Sequence, residues 1–294
     1  GDRAVKLTIV SGRSGSGKST ALHVLEDLGY YCIDNLPIGL LQPLTRKALE
    51  SDEQQSDIAV SIDARNLSAD IADFENLYRQ LQHPDLRVEV IYLDAADSML
   101  LQRFHATRRK HPLSTPGRSL SEAIQDEKAL LEPIARLADL HIDTTERSMY
   151  ELRDMVRERI VGRDEQQMAL LIQSFGYKHG VPIDSDFVFD VRCLPNPFWD
   201  ESLRGYTGLD APIREYLTGQ PGTTTLLEDI KGFLDRWLPE FHTVNRSYMT
   251  ISIGCTGGQH RSVYMAEELA AHLRQAFSTV QVRHTELPHA QPTP

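Results

Sequence analysis

Two stretches of this chain combine residue types and spacing that handle phosphate. The first is Gly12-Arg13-Ser14-Gly15-Ser16-Gly17-Lys18-Ser19, which fits the pattern G-x-x-x-x-G-K-[ST]. Its glycines let the backbone curl so that successive N–H groups face a polyphosphate. A helix following the loop adds the partial positive charge of its N-terminus. All eight residues are candidate nucleotide-phosphate ligands. Lys18 is placed to reach the outer phosphates, and Ser19 to hold magnesium through its hydroxyl, with Thr20 beside it. The second stretch is Gly254-Cys255-Thr256-Gly257-Gly258-Gln259-His260-Arg261-Ser262. Five residues separate Cys255 from Arg261, and Ser262 follows. At that spacing a cysteine phosphatase binds phosphate on loop amides and an arginine while a thiolate attacks it. The same loop also fits plain phosphate or sugar-phosphate binding, with Cys255 a small buried residue. The candidate ligands are Cys255, Thr256, Gly257, Gly258, His260, Arg261 and Ser262, and His179 is a further candidate.

Both loops sit between a strand pattern and a helix pattern. Leu7–Val10 precedes the first, and Leu22, Leu25 and Leu28 share a helical face after it; Tyr248–Ile253 precedes the second, and a helix runs from it to about Ala276. Further strands are expected at Tyr30–Ile33, Ile58–Ile62, Val88–Leu93 and Leu140–Ile142, with helices between them, including one from Ala69 to Leu81 and one capped by Ser98. The second half adds strands at Met168–Ser174, Phe187–Val191 and Val280–Val282 and a helix from Thr223 to Leu238. Repeated strand–helix units imply mostly parallel sheets, with ligands at the carboxyl ends of the strands. The fold class is therefore α/β: a phosphate-loop domain over residues 1–160, then a second α/β domain over 168–294. The polar run at 160–167 marks the boundary, and the tail His289–Pro294 is expected to be disordered.

Three strands of the first half end in aspartate: Asp34, Asp63 and Asp94. The form of Val90-Ile91-Tyr92-Leu93-Asp94 suits a carboxylate that supports magnesium; aspartate is also common in turns after strands. Arg103, then Arg108-Arg109-Lys110-His111, is the densest basic cluster and runs into Pro/Ser/Gly-rich sequence. It suits a mobile loop closing over transferring phosphates, or equally a solvated helix end. Lys18, Asp94, Arg108 and Arg109 are the candidate catalytic residues. Read from residues alone, they describe a small-molecule kinase.

Composition narrows the class. The 294 residues carry 40% hydrophobic and 25% charged side chains, ordinary for a soluble globular protein. No apolar run approaches the ~20 residues of a membrane span, and the chain enters its first strand too early for a signal peptide. Three widely spaced cysteines, Cys32, Cys193 and Cys255, make neither a disulfide framework nor a zinc pattern and point to a cytoplasmic protein. A net charge of -11 argues against broad nonspecific nucleic-acid binding.

The segments Val10–Ser19, Tyr31–Pro37, Ser61–Asn66, Thr107–Leu113, Asp190–Pro197 and Gly254–Ser262, in this order, resemble the RapZ (YvcJ-like) family. The resemblance implies a kinase-like phosphate-loop domain and a C-terminal α/β domain that binds glucosamine-6-phosphate. It implies weak hydrolysis of ATP and GTP at most, with ATP at Gly12–Ser19, GTP at Asp63, Ala64, Arg65 and Asn66, and sugar phosphate around Thr256–Ser262. It further implies an adapter that presents a small regulatory RNA to an endoribonuclease in amino-sugar homeostasis, and a tetrameric homo-oligomer. The family's RNA-binding enteric member ends in a Lys/Arg-rich tail. Here Arg274, Arg283 and His284 are offset by Glu267, Glu268 and Glu286. Phe198 stands where that member is expected to carry a histidine.

Overall fold

The computed structural model describes residues 4–51, 56–107, 109–160, 167–244 and 246–288. Arg108, residues 161–166 of the expected boundary and the tail from His289 to Pro294 lie outside the described residues. The chain divides into two compact units, Gly1–Val161 and Gly162–Pro294. Among the described residues no helix is long and apolar enough to cross a membrane.

The first unit is built on a parallel sheet of β1 (Val5–Gly12), β2 (Tyr31–Ile33), β3 (Ile58–Ile62), β4 (Leu86–Asp94) and β5 (Leu140–Asp143), in the order β2-β3-β1-β4-β5. The apolar run of β1 is central because both its edges are paired: Ile9 faces Val60 on one side and Val90 on the other. Leu7, Ile9 and Val10 are fully buried, as a strand covered on both faces must be. The helices are α1 (Lys18–Asp27), α2 (Leu41–Glu50), α3 (Ser68–Ala72), α4 (Phe74–Gln80), α5 (Asp97–Thr107), α6 (Leu120–Ala135) and α7 (Met149–Ile160). A capping box starts α6: Ser119 Oγ accepts from the Glu122 amide at 3.1 Å and Glu122 Oε2 from the Ser119 amide at 2.8 Å.

Two local expectations are corrected. The helix expected over Ala69–Leu81 breaks at Asp73, whose backbone leaves the helical basin at φ -91°, ψ 9° and whose carboxylate accepts from Asn76 Nδ2. Ser98 lies inside α5, which already starts at Asp97.

The second unit is a parallel sheet of β6 (Ala169–Gly176), β7 (Phe187–Asp190), β8 (Tyr248–Cys255) and β9 (Val280–His284), ordered β7-β8-β6-β9. Its helices are α8 (Ala211–Thr218), which the sequence reading did not anticipate, α9 (Pro221–Thr243) and α10 (Arg261–Leu273). Both sheets are parallel, so the α/β class expected from the alternating pattern is the class found. In each unit the glycine-rich loop leaves the carboxyl end of an internal strand, β1 or β8, where loop amides converge at the head of a helix. Replacing Ile9 by alanine should cost about 2–5 kcal/mol, because a fully buried side chain leaves a cavity between two paired strands. Urea unfolding should show a lower midpoint at unchanged slope.

Candidate functional site

In the first loop, Gly12 has φ +152°, and a Cβ there would sit 2.2 Å from the Leu93 carbonyl oxygen. Only glycine lets β1 turn away so close to β4. Gly17 caps α1 in the left-handed region at φ 107°. Lys18 Nζ donates to Gly12 O at 2.8 Å and Arg13 O at 3.2 Å, so the lysine lies over its own loop. Burial pulls the Lys18 amine below its ordinary range, against the pull of Glu127, Asp63 and Asp34 and with help from Arg65. Ser16 Oγ is buried and finds no partner among the described residues. A buried hydroxyl without a partner inside a curl of amides suits an absent anion. Ser19 is exposed near the start of α1. Magnesium bound with phosphates needs few protein ligands, so one hydroxyl fits it, although no cluster of three or more His, Cys, Asp or Glu side chains that could hold a metal exists among the described residues.

Arg13 departs from its expected role. Its side chain is 2% exposed. Nε meets Asp94 Oδ1 at 2.8 Å, Nη1 meets Asp97 Oδ1 at 2.6 Å, and Nη2 donates to Ala95 O at 2.9 Å. The guanidinium bolts the loop to the β4–α5 turn and can face a nucleotide only through its backbone. Asp94 is drawn into the same knot: its Oδ1 also accepts from the Ala95 amide at 2.9 Å. Asp94, the expected magnesium ligand, thus already holds Arg13 and the Ala95 amide through one carboxylate oxygen. Arg103 Nη1 donates to Gly15 O at 2.8 Å, and Thr144 Oγ1 to Ser16 O at 2.8 Å, so the loop's carbonyls are tied too. Arg109 is exposed; Arg108 is outside the described residues.

The sequence reading missed Glu127. This carboxylate on α6 is fully buried. Its Oε1 accepts from the Ser14 amide at 2.8 Å and its Oε2 from Ser14 Oγ at 2.7 Å. His111 Nε2 lies 3.1 Å from Oε1, while the Leu113 amide donates to His111 Nδ1 at 3.0 Å. An amide only donates, so Nδ1 is the bare nitrogen and Nε2 carries the proton given to Glu127. Burial pushes the Glu127 carboxyl up, but the bonds from His111 and Ser14 and the charge of Lys18 hold it below its ordinary range. The signal was an acid on the buried stripe of α6 with Ala123, Ile124, Leu131 and Ile134.

The segment expected to read GTP is tied up internally. Asp63 accepts from the Arg65 amide at 2.8 Å and from the Arg65 fork at 2.6–3.1 Å. Burial raises the Asp63 carboxyl, and the bonds and charge of Arg65, with Lys18, more than reverse that. Asn66 Oδ1 accepts from the Ile38 amide at 2.8 Å, and its Nδ2 donates to Leu36 O at 3.2 Å. A guanine edge would have to displace Arg65 from Asp63 and break Asn66 from the turn it holds. Asp34 accepts from Ser61 Oγ, and Ala64 is buried.

In the second unit Cys255, Thr256, Gly257, His260 and Arg261 line a cavity of about 340 Å³, and Gly258 and Ser262 of the same loop do not. Cys255 Sγ accepts from the Gly258 amide at 3.2 Å and lies 3.1 Å from Ser262 Oγ. Arg261 Nη1 donates to Arg192 O and Leu194 O at 2.9 and 3.0 Å. That fixes the guanidinium and leaves its other edge: Nη2 makes a 3.3 Å bond to Thr256 Oγ1, and buried Nε has no partner among the described residues. His260 Nε2 gives its proton to Tyr206 O at 2.7 Å. Burial, with the Arg261 charge, lowers the His260 pKa despite that bond. Gly257 lies against Gly176, where a Cβ would come within 2.7 Å of its backbone. Lys178, Phe198 and Trp199 complete the mouth, and Trp199 is 77% exposed. His179 instead pairs with Glu286 at 3.1 Å.

The first unit thus defines a phosphate-loop α/β domain, and the second carries a second glycine-rich strand–loop–helix. Residues 5–164 match the RapZ-like N-terminal domain and residues 168–288 the RapZ C-terminal domain, so the chain belongs to the RapZ family. It is 64% identical over 289 residues to a protein of Marinobacter nauticus called a nucleotide-binding protein, covering 98% of each chain. A protein of Hahella chejuensis with the same description is 62% identical over 284 residues, 96% of this chain and 99% of that one. A third, from Pseudomonas fluorescens, is 55% identical over 96% of this chain and 100% of that one.

Replacing Arg13 by methionine should cost about 1–3 kcal/mol in urea unfolding, since Asp94 loses its counter-charge while Asp97, 44% exposed, is taken up by water. A second expectation concerns pH. The folded Asp63 carboxyl titrates below its unfolded value of about 3.9, so its stabilisation is complete above that value and is lost as pH falls through the folded one. The stability gap between wild type and Asp63→Asn should be widest near neutrality and shrink below about pH 4. Urea midpoints measured from pH 7 downward check this.

Proposed function

We propose that the protein is a cytoplasmic two-ligand sensor: ATP with magnesium binds Gly12–Ser19, and glucosamine-6-phosphate binds Cys255–Ser262. In this reading the liganded protein, as a homo-oligomer, acts as an adapter that presents a small regulatory RNA to an endoribonuclease. The observation that carries the two-ligand part is the pair of glycine-rich loops, each with a buried polar group that has no partner among the described residues, Ser16 Oγ in one and Arg261 Nε in the other. The names of the relatives support nucleotide binding. The sugar phosphate, the RNA, the nuclease and the tetramer are proposed on the resemblance to the RapZ family. We rank ATP ahead of GTP because Asp63 and Asn66 are engaged with Arg65, Leu36 and Ile38.

At the first loop, Lys18 and the amides at the head of α1 would bind the phosphates and Ser19 would hold magnesium, which when bound neutralises phosphate charge. Because Arg13 engages Asp94, weak hydrolysis suits the site better than fast transfer to an acceptor. At the second loop, the Nε–Nη2 edge of Arg261 offers two parallel donors, the fork geometry that matches a phosphate, and exposed Lys178 adds a second cation at the mouth. Calorimetry on the full chain tests the assignment. Lys18→Ala should weaken ATP binding at least about ten-fold and leave glucosamine-6-phosphate binding intact, and Arg261→Lys should do the reverse. Loss of both ligands in either variant would refute two independent sites. Absence of binding to structured small RNA at low salt would refute the adapter role.

A further inference from the structure

Glu127 does not lie beside the phosphate loop; it takes up part of it. A carboxylate resembles a phosphate oxygen pair in accepting N–H and O–H together. Here it holds the amide and the hydroxyl of Ser14, the second residue after Gly12, at 2.8 and 2.7 Å. The neighbouring carbonyls of Gly12 and Arg13 are those that hold Lys18 Nζ, and that lysine is the group that reaches the outer phosphates in such loops. The charge of Glu127 acts on Lys18 more strongly than that of Asp63 or Asp34. The negative charge is therefore resident at the outer end of the phosphate site. It is also locked there. Swinging it out would strand Ser14 Oγ and the His111 Nε2 proton, and His111 is itself buried and fixed by the Leu113 amide.

We propose that Glu127 is a specificity-determining residue of the nucleotide site, a built-in anion that opposes the terminal phosphate and makes the site favour nucleoside diphosphates over triphosphates. This rests on the reading of Gly12–Ser19 as a nucleotide site. It gives that reading a direction: the loop responds to the phosphate chain length of the nucleotide as well as to its presence. Glu127→Gln isolates the charge. The oxygen of the new amide can keep both N–H donors, Ser14 and His111, because both already converge on Oε1. Its NH₂ can donate to Ser14 Oγ, whose hydroxyl hydrogen is free to rotate.

The test is equilibrium binding of ATP and of ADP, each with magnesium, to the full-length wild type and to Glu127→Gln at fixed ionic strength. Wild type should bind ADP more tightly than ATP. The variant should raise ATP affinity about ten-fold more than ADP affinity, the order expected when one nearby charge is removed from a partly screened site. Wild-type binding of ATP as tight as that of ADP, or tighter, overturns the proposal, and so does a variant that shifts both nucleotides equally. If thermal melting shows that the variant does not fold, the wild-type comparison decides alone. A wild type that binds neither nucleotide overturns the nucleotide reading itself, and this inference with it.

Discussion

The buried guanidinium of Arg13 is the constraint on which the first site depends. An arginine keeps its charge in any protein environment, so a side chain 2% exposed must be matched where it lies. Asp94, Asp97 and the Ala95 carbonyl match it from the β4–α5 turn. An uncompensated buried charge costs several kcal/mol, so the second residue of the loop cannot leave this nest. Ser14 is held next to it by Glu127, the Gly15 carbonyl by Arg103 and the Ser16 carbonyl by Thr144. The loop is thus shaped before any ligand arrives, and an anion docking on it does not have to order it.

The same local device appears at the ends of β3 and β7, the neighbours of the two loop-bearing strands. In each, an aspartate accepts from the amide two residues on and from the side-chain fork of the arginine at that position. The amide bonds are 2.8 Å at Asp63–Arg65 and 2.9 Å at Asp190–Arg192, and the shortest fork bonds are 2.6 and 2.7 Å. The spacing alone produces this turn, because an aspartate reaches the second amide ahead of it and the arginine then meets the carboxylate edge-on. What differs is the setting. Asp63 is buried, so displacing Arg65 would strand a charge. Asp190 is open to water, and Arg192 instead lies over the Tyr177 ring at 3.9 Å. The first pair is a fastening, and the second is a surface turn worth little on its own.

The loops and strands were legible because their signals are local: glycines at fixed offsets and apolar runs of strand length. The roles of individual charges were not. Asp94 announces its position at a strand end, but its partner Arg13 lies 81 residues away and occupies a variable position of the loop pattern. Glu127 sits 113 residues from Ser14, and its helix reads as an ordinary amphipathic segment with one acid out of place. The Asp63–Asn66 segment has the side chains to meet a base edge, and only the fold reveals that the turn at Leu36–Ile38 already uses Asn66. The break at Asp73 escaped for another reason: apolar spacing continues through it, while one residue outside the helical basin ends the hydrogen-bond ladder.

In a chain of net charge -11, each cradle must gather its positive potential locally, and the two do so differently. The first relies on Lys18, a cation weakened by burial and set among Glu127, Asp63 and Asp34. Three carboxylates thus act on that one amine, with the Arg65 charge opposing them. The second relies on Arg261, which cannot lose its charge, with Lys178 at the mouth and the His260 pKa lowered by burial and by that arginine. The Arg261 charge also reaches Asp190, while two backbone carbonyls hold one edge of its guanidinium in place. Phe198 and Trp199 set flat apolar faces at the rim of that cavity, their ring centroids 5.8 Å apart, so its mouth is aromatic where its floor is polar.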